Sequence, residues 1–91
     1  MKKHIEGKND KKVMLYALST CPWCHKTKNL LGELGVGYDF IDVDLLDLEE
    51  DARTTQEIMK FTSDISFPIL IIDDEKVIQG FDEEQIREAL K

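Results

Sequence analysis

Cys21 and Cys24 flank Pro22 and Trp23, and they are the only cysteines in the 91-residue chain. Thiol–disulfide exchange needs a thiolate nucleophile, a second thiol within reach and an approach for the partner disulfide. The Cys-x-x-Cys spacing supplies the first two. Cys21 falls where an apolar run gives way to helical periodicity. The unpaired N–H groups and positive end of a helix favour an anion at that point. Cys24 falls one turn further on, in an apolar stripe with Leu31 and Leu34. The pattern predicts Cys21 as the attacking thiol and Cys24 as a more buried thiol that resolves the mixed disulfide.

Other chemistries fit the same residues less well. With His25 the motif reads Cys-x-x-Cys-His, the attachment pattern of c-type haem, which belongs mostly to exported proteins. A structural zinc site needs two further ligands; there is no second cysteine pair, and His4 and His25 are poorly spaced for the role. No metal site is therefore expected. His25 reads as a solvent-exposed helix residue, with modest electrostatic help to the thiols as its alternative. Lys26 and Lys28 are expected to point to solvent, with added positive potential near the thiols as the alternative. Trp23 sits in the exposed first turn and reads as a partner contact, because aromatic residues are enriched at interface hot spots.

The elements that must hold this motif follow from periodicity. Residues 13–18 form a nearly continuous apolar run, expected as a strand buried on both faces. Residues 22–34 carry Cys24, Thr27, Leu31 and Leu34 on one helical stripe. Pro22 suits the first turn, and Gly35 and Gly37 supply the stop. Gly32 is a mild defect inside the helix. Residues 38–43 alternate as a second strand. Residues 47–61 read as a helix with Leu48, Ala52, Thr55 and Met59 inward. Residues 69–72 and 76–79 form a hairpin across Asp73-Asp74-Glu75. A last helix starts at Asp82, which has capping-box spacing to Gln85, with Ile86, Ala89 and Leu90 on its buried side. The order β-α-β-α-β-β-α predicts an α/β domain with a mixed four-stranded sheet and helices on both faces. Residues 1–12 are polar and are expected as a flexible arm before a single domain at 13–91.

Size and charge narrow the function classes. One small domain has no room to enclose a large substrate. A net charge of −7 lacks the basic footprint that nucleic-acid binding needs. The acidic residues of the 39–51 stretch read as a solvated face, with docking of a basic partner as the sharper alternative. The longest apolar run, residues 67–72, is too short to span a membrane, and no apolar h-region follows Met1-Lys2-Lys3. A cysteine pair without an export signal predicts a reducing, cytoplasmic setting.

Thr20-Cys21-Pro22-Trp23-Cys24 after a buried strand resembles the active site of dithiol glutaredoxins. Ser66-Phe67-Pro68 resembles the Thr-Val-Pro segment of that family, and Gly80-Phe81-Asp82 its Gly-Gly-x-Asp segment. The resemblance covers roughly residues 13–90, with the motifs in the right order. It implies a thioredoxin fold in which Pro68 is cis and packs beside the cysteines. It also implies that the Phe67 backbone pairs with an extended peptide or glutathione, and that Trp23, Gly80, Phe81 and Asp82 surround the bound group, Asp82 meeting the glutathione amine. Two positions depart from the pattern: Leu18 replaces a lysine that contacts the glutathione carboxylate, and Gln79 replaces the first glycine of the pair. Gly80-Phe81 is also similar to the Ser-Gly-Phe segment of NrdH-type redoxins, which a thioredoxin-reductase-like flavoenzyme reduces.

The expected function is thus a monomeric dithiol oxidoreductase, without a tightly bound cofactor. It reduces protein or glutathione mixed disulfides, with glutathione as co-substrate or a flavoenzyme as donor. Ribonucleotide reductase is the protein substrate that the resemblance suggests. Two readings of another class remain. One is a 2Fe–2S cluster held between subunits, which Pro22 disfavours in the family. The other is a non-catalytic interaction module using the acidic face.

Overall fold

The chain 13-Val-Met-Leu-Tyr-Ala-17 sends alternate side chains to opposite faces of a sheet, and nearly all of them are apolar, so this strand must be covered on both sides. The computed structural model, which describes residues 2–91, builds the domain around it. The strands are β1 (Lys3–Ile5), β2 (Val13–Ala17), β3 (Tyr38–Asp42), β4 (Ile69–Ile72) and β5 (Lys76–Gln79). The helices are α1 (Pro22–Leu34), α2 (Leu48–Met59) and α3 (Glu83–Leu90), with a 3-10 turn at Val43–Leu45. The sheet order is β1-β3-β2-β4-β5. β2 and β3 run parallel across the α1 crossover, and the other neighbours are antiparallel. The fold is thioredoxin-like.

Two cores result. On one face Leu30 and Leu31 of α1 and Ile86 of α3 pack with Val13, Leu15, Ala17, Leu70, Ile72 and Ile78. On the other, Ile58 of α2 covers Tyr16, Ile41, Ile69 and Ile71. Among the described residues no helix is long and apolar enough to cross a membrane.

The sheet has five strands rather than the expected four, because residues 3–5 are not a flexible arm. They add to the edge of β3 in the register Lys3↔Phe40 to Ile5↔Tyr38. All three residues are exposed, so backbone pairing rather than burial holds them, and no apolar alternation marks the strand in the sequence. Further along, Lys8 N–H donates to the Gly35 carbonyl at 2.9 Å and Gly37 N–H to the Lys8 carbonyl at 2.8 Å. The backbones meet closely enough here that a Cβ on Gly7 would lie 2.5 Å from the Gly37 nitrogen.

The inward face of α2 is also shifted. Thr54 and Ile58 are buried, whereas Leu48 is 90% exposed and Met59 is exposed. Asp47 caps the helix through the Glu50 N–H at 2.8 Å, and Leu48 follows in the exposed first turn. The docking face runs through Thr54 and Ile58, one position before Thr55 and Met59. In α1 the expected stripe is recovered with Leu30 added and Leu34 only partly buried. Gly35 caps α1 at φ +68°, a left-handed conformation that glycine adopts without cost.

Candidate active site

Parallel pairing of β2 and β3 brings their C-terminal ends together, and the loop after β2 leads directly into α1. Cys21 is the N-cap of α1, extended at φ −87° and ψ 116°. Its sulfur accepts a hydrogen bond from the Cys24 N–H at 3.2 Å. Pro22 follows at the first helical position, where the missing N–H forfeits no bond. Cys21 is partly exposed, and Cys24 is fully buried among Ala17, Leu31 and Ile86. Burial pushes the Cys24 thiol up to about 12, reinforced by its neighbour Cys21 and partly opposed by the Leu18 backbone and the charge of Lys28. The dithiol therefore pairs a sulfur at the surface with one that stays protonated in the core.

Side chains from three directions frame the thiols. Trp23 and Phe81 stack with ring centroids 6.1 Å apart and planes at 25°, and the Lys26 ammonium lies 4.5 Å over the Trp23 ring. Trp23 is 55% exposed, so the pair forms an open aromatic ledge at the start of α1. Phe67–Pro68 is a cis peptide bond, and Pro68 is buried. Pairing of β4 with β2 starts only at Ile69, which leaves the Phe67 backbone beyond both ladders. Phe67 and Cys21 pack against the same buried cluster. Gly80 N–H donates to the Pro68 carbonyl at 2.8 Å, and Gly80 sits at φ +77°. Asp82 caps α3: one oxygen accepts the Gln85 N–H at 3.1 Å and the other the Gln85 side-chain amide at 2.8 Å. Those bonds hold the Asp82 carboxyl below the usual carboxylate range.

Polar contacts that sequence patterns did not reveal hold the loop in place. Asp44 accepts from the Ser19 N–H at 2.8 Å and from its hydroxyl, two residues before Cys21. These bonds lower the Asp44 carboxyl. The His25 ring meets the Ser19 carbonyl through Nε2 at 2.8 Å, in the tautomer that donates there, so this exposed side chain folds back on the loop. Lys28 does not point to solvent. Its ammonium lies 3.0 Å from Asp42 Oδ1 and 4.3 Å over the Phe40 ring, with both charged side chains less than one-fifth exposed. A signal for this pair existed: Asp42 follows Tyr38 and Phe40 on the face of β3 that meets α1, where a carboxylate needs a partner. Gln79 ties down the segment before Phe67, since its amide donates to the Asp64 carbonyl and its carbonyl accepts from the Thr62 hydroxyl at 3.1 Å. Among the described residues no group of three or more His, Cys, Asp or Glu side chains is placed to hold a metal ion.

Comparison with known proteins gives a consistent answer. The glutaredoxin family model matches residues 13–78. An uncharacterized glutaredoxin-like 8.6 kDa protein encoded in the rubredoxin operon of Clostridium pasteurianum is 30% identical over 79 residues, covering 87% of this chain and 97% of that protein. The crystal structure of a glutaredoxin from Methanosarcina mazei Go1 superposes with a TM-score of 0.89 at 47% identity, covering 98% of this chain and 86% of the other. Methanosarcina acetivorans methanoredoxin superposes at 0.88 with 49% identity, covering 92% and 88%.

Proposed function

The chain belongs to the glutaredoxin family of thiol–disulfide oxidoreductases, and from that premise we propose that it is a dithiol electron carrier in which Cys21 attacks and Cys24 resolves. The observation that carries this reading is the asymmetry of the pair: one sulfur at a helix N-cap and partly exposed, the other buried one turn away. The Cys21 thiolate attacks a substrate disulfide R–S–S–R′, forming a Cys21–S–R bond and expelling R′–S⁻, which takes up a proton. Cys24 then gives up its proton and attacks Cys21 Sγ, closing the Cys21–Cys24 disulfide and releasing R–S⁻, which is protonated in turn. Two electrons pass from the dithiol to the substrate, and an external reductant restores the thiols. No tightly bound cofactor takes part.

The ledge of Trp23 and Phe81 receives one side of the substrate in this reading, and the free Phe67 backbone pairs with its extended chain as one more strand. Gly80 and Asp82 line the far side. Protein disulfides, including one of the ribonucleotide-reductase type, and glutathione mixed disulfides are the substrate classes, handled by a monomer in a reducing cytoplasm.

A second reading concerns the donor. Leu18 offers no charge to a glutathione carboxylate, and each Asp82 oxygen already accepts a hydrogen bond from Gln85, so a glutathione amine shares that carboxylate with the helix cap. These two observations favour a thioredoxin-reductase-like flavoenzyme over glutathione as the reductant. Turnover of a small disulfide is to be measured with glutathione plus its reductase and, separately, with thioredoxin reductase. The expected result is faster turnover in the second arm and loss of turnover in Cys21→Ser. Full activity in Cys21→Ser contradicts the mechanism, and faster turnover with glutathione overturns the choice of donor.

A further inference from the structure

Building on the two-cysteine mechanism, we infer that the Lys28–Asp42 ion pair is a positioning element for the resolving half of the reaction, fixing an ammonium on the helix turn that follows Cys24. Lys28 lies one helical turn beyond Cys24, where side chains at i and i+4 stand about 5–6 Å apart at Cβ. A lysine at such a site ordinarily extends to water. Here Asp42 at the end of β3 draws the ammonium inward to 3.0 Å, and the Phe40 ring lies 4.3 Å beneath it. The side chains of Lys28 and Asp42 are 18% and 17% exposed, so solvent screens this charge less than that of an extended lysine. Lys26, two residues earlier, stands over Trp23 at the rim. The two lysines are thus divided between the substrate ledge and the buried thiol.

Cys24 must ionise before it can attack Cys21 Sγ, and its burial opposes ionisation. The groups that bear on its charge are Cys21, the Leu18 backbone and Lys28, with Lys28 favouring the thiolate. Asp42 supplies the anchor from the neighbouring strand. Because the lysine is tethered to the sheet, the positive charge is present before substrate arrives and needs no rearrangement during resolution. The proton leaves Cys24 for solvent and is balanced by protonation of the released thiolate; Lys28 keeps its own proton throughout.

The test separates the two chemical steps. Attack is measured as mixed-disulfide formation in the Cys24→Ser background, and resolution as release of the second thiol in a single turnover of the two-cysteine protein. Lys28→Gln is expected to slow resolution about three- to tenfold, the effect of a half to one pH unit in thiolate formation. It is expected to leave attack unchanged and to move the pH midpoint of resolution upward. Lys28→Arg restores the rate. The paired Lys28→Gln/Asp42→Asn variant removes both charges without leaving an unpaired carboxylate, and it is expected to resolve as slowly as Lys28→Gln. An unchanged resolution rate and midpoint in a folded Lys28→Gln or paired variant overturns the inference, as does an equal loss in both steps. A readout independent of any substrate is the alkylation rate of Cys24 in Cys21→Ser at about pH 7 to 9, where the rate follows the thiolate fraction. There Lys28→Gln lowers the rate about three- to tenfold even if the proposed oxidoreductase mechanism fails, and an unchanged rate refutes the role of Lys28.

Discussion

Cys21 caps α1 from an extended residue, partly open to solvent, on a loop held by polar bonds from Asp44 and His25 through Ser19. Cys24 lies one turn away in the apolar cluster that holds Ala17, Leu31 and Ile86, and Lys28, one turn further along the helix, is tethered to Asp42. The first environment exposes a sulfur and points the Cys24 N–H at it. The second hides a sulfur and keeps it protonated. In the proposed mechanism the order of the two chemical steps follows from this packing: the same helix start that leaves one thiol at the surface carries the other into the core.

The strongest way to break this contrast is to remove the buried thiol. Cys24→Ser is expected to stop multiple turnover while leaving the first attack intact, so a stable Cys21 mixed disulfide accumulates in one-to-one amount by mass spectrometry. Opening that apolar cluster is the next largest change. Ile86→Ala removes a fully buried side chain from the cluster around Cys24 and is expected to cost about 2–5 kcal/mol of stability in a denaturant titration. Alkylation of Cys24 then speeds up more than that of Cys21.

Two smaller effects sharpen the comparison from the other side. Asp44→Ala releases Ser19 and is expected to reduce the attack rate of Cys21 while leaving the titration of Cys24 in place. The Asp44 carboxyl is lowered from 3.8 by its bonds to Ser19, so its contribution to stability is fully present above that value and is lost as pH falls through the lower folded value. Thermal melts of wild type and Asp44→Ala should converge as the pH is brought below 3.8. Gly32 lies on the outer side of α1, and a Cβ there meets nothing within 4 Å. Gly32→Ala is expected to stabilise by up to about 1 kcal/mol and to alter neither thiol.

Much of this was legible in the sequence because it is local. Pro22 after Cys21, the stripe through Cys24, Thr27 and Leu31, the Asp82–Gln85 cap and the 69–79 hairpin all depend on residues near one another, and helix and strand periodicity exposes them. The β1 strand was hidden because Lys3, His4 and Ile5 are all exposed, and what fixes them is backbone pairing with β3 and the His4–Asp39 contact across it, neither of which leaves an apolar pattern. The inward face of α2 lies one position from the expected stripe, with Thr54 and Ile58 docked in place of Thr55 and Met59, because adjacent apolar residues at 58 and 59 leave the rotation of the helix open until it meets the sheet. The polar contacts around the thiols were the least visible part. Lys28 and Asp42 are 14 residues apart and Ser19 and Asp44 are 25 apart: the β3 alternation shows that Asp42 needs a partner but does not name Lys28 until α1 is laid on the sheet, and Ser19 meets Asp44 only once β2 and β3 are side by side.

The most direct test of the central asymmetry is timed alkylation of the reduced protein at neutral pH, with each cysteine followed by peptide mass spectrometry. Rapid modification of Cys21, with Cys24 protected until the protein is unfolded, is the predicted result. Equal rates at the two cysteines, or faster labelling of Cys24, would contradict it.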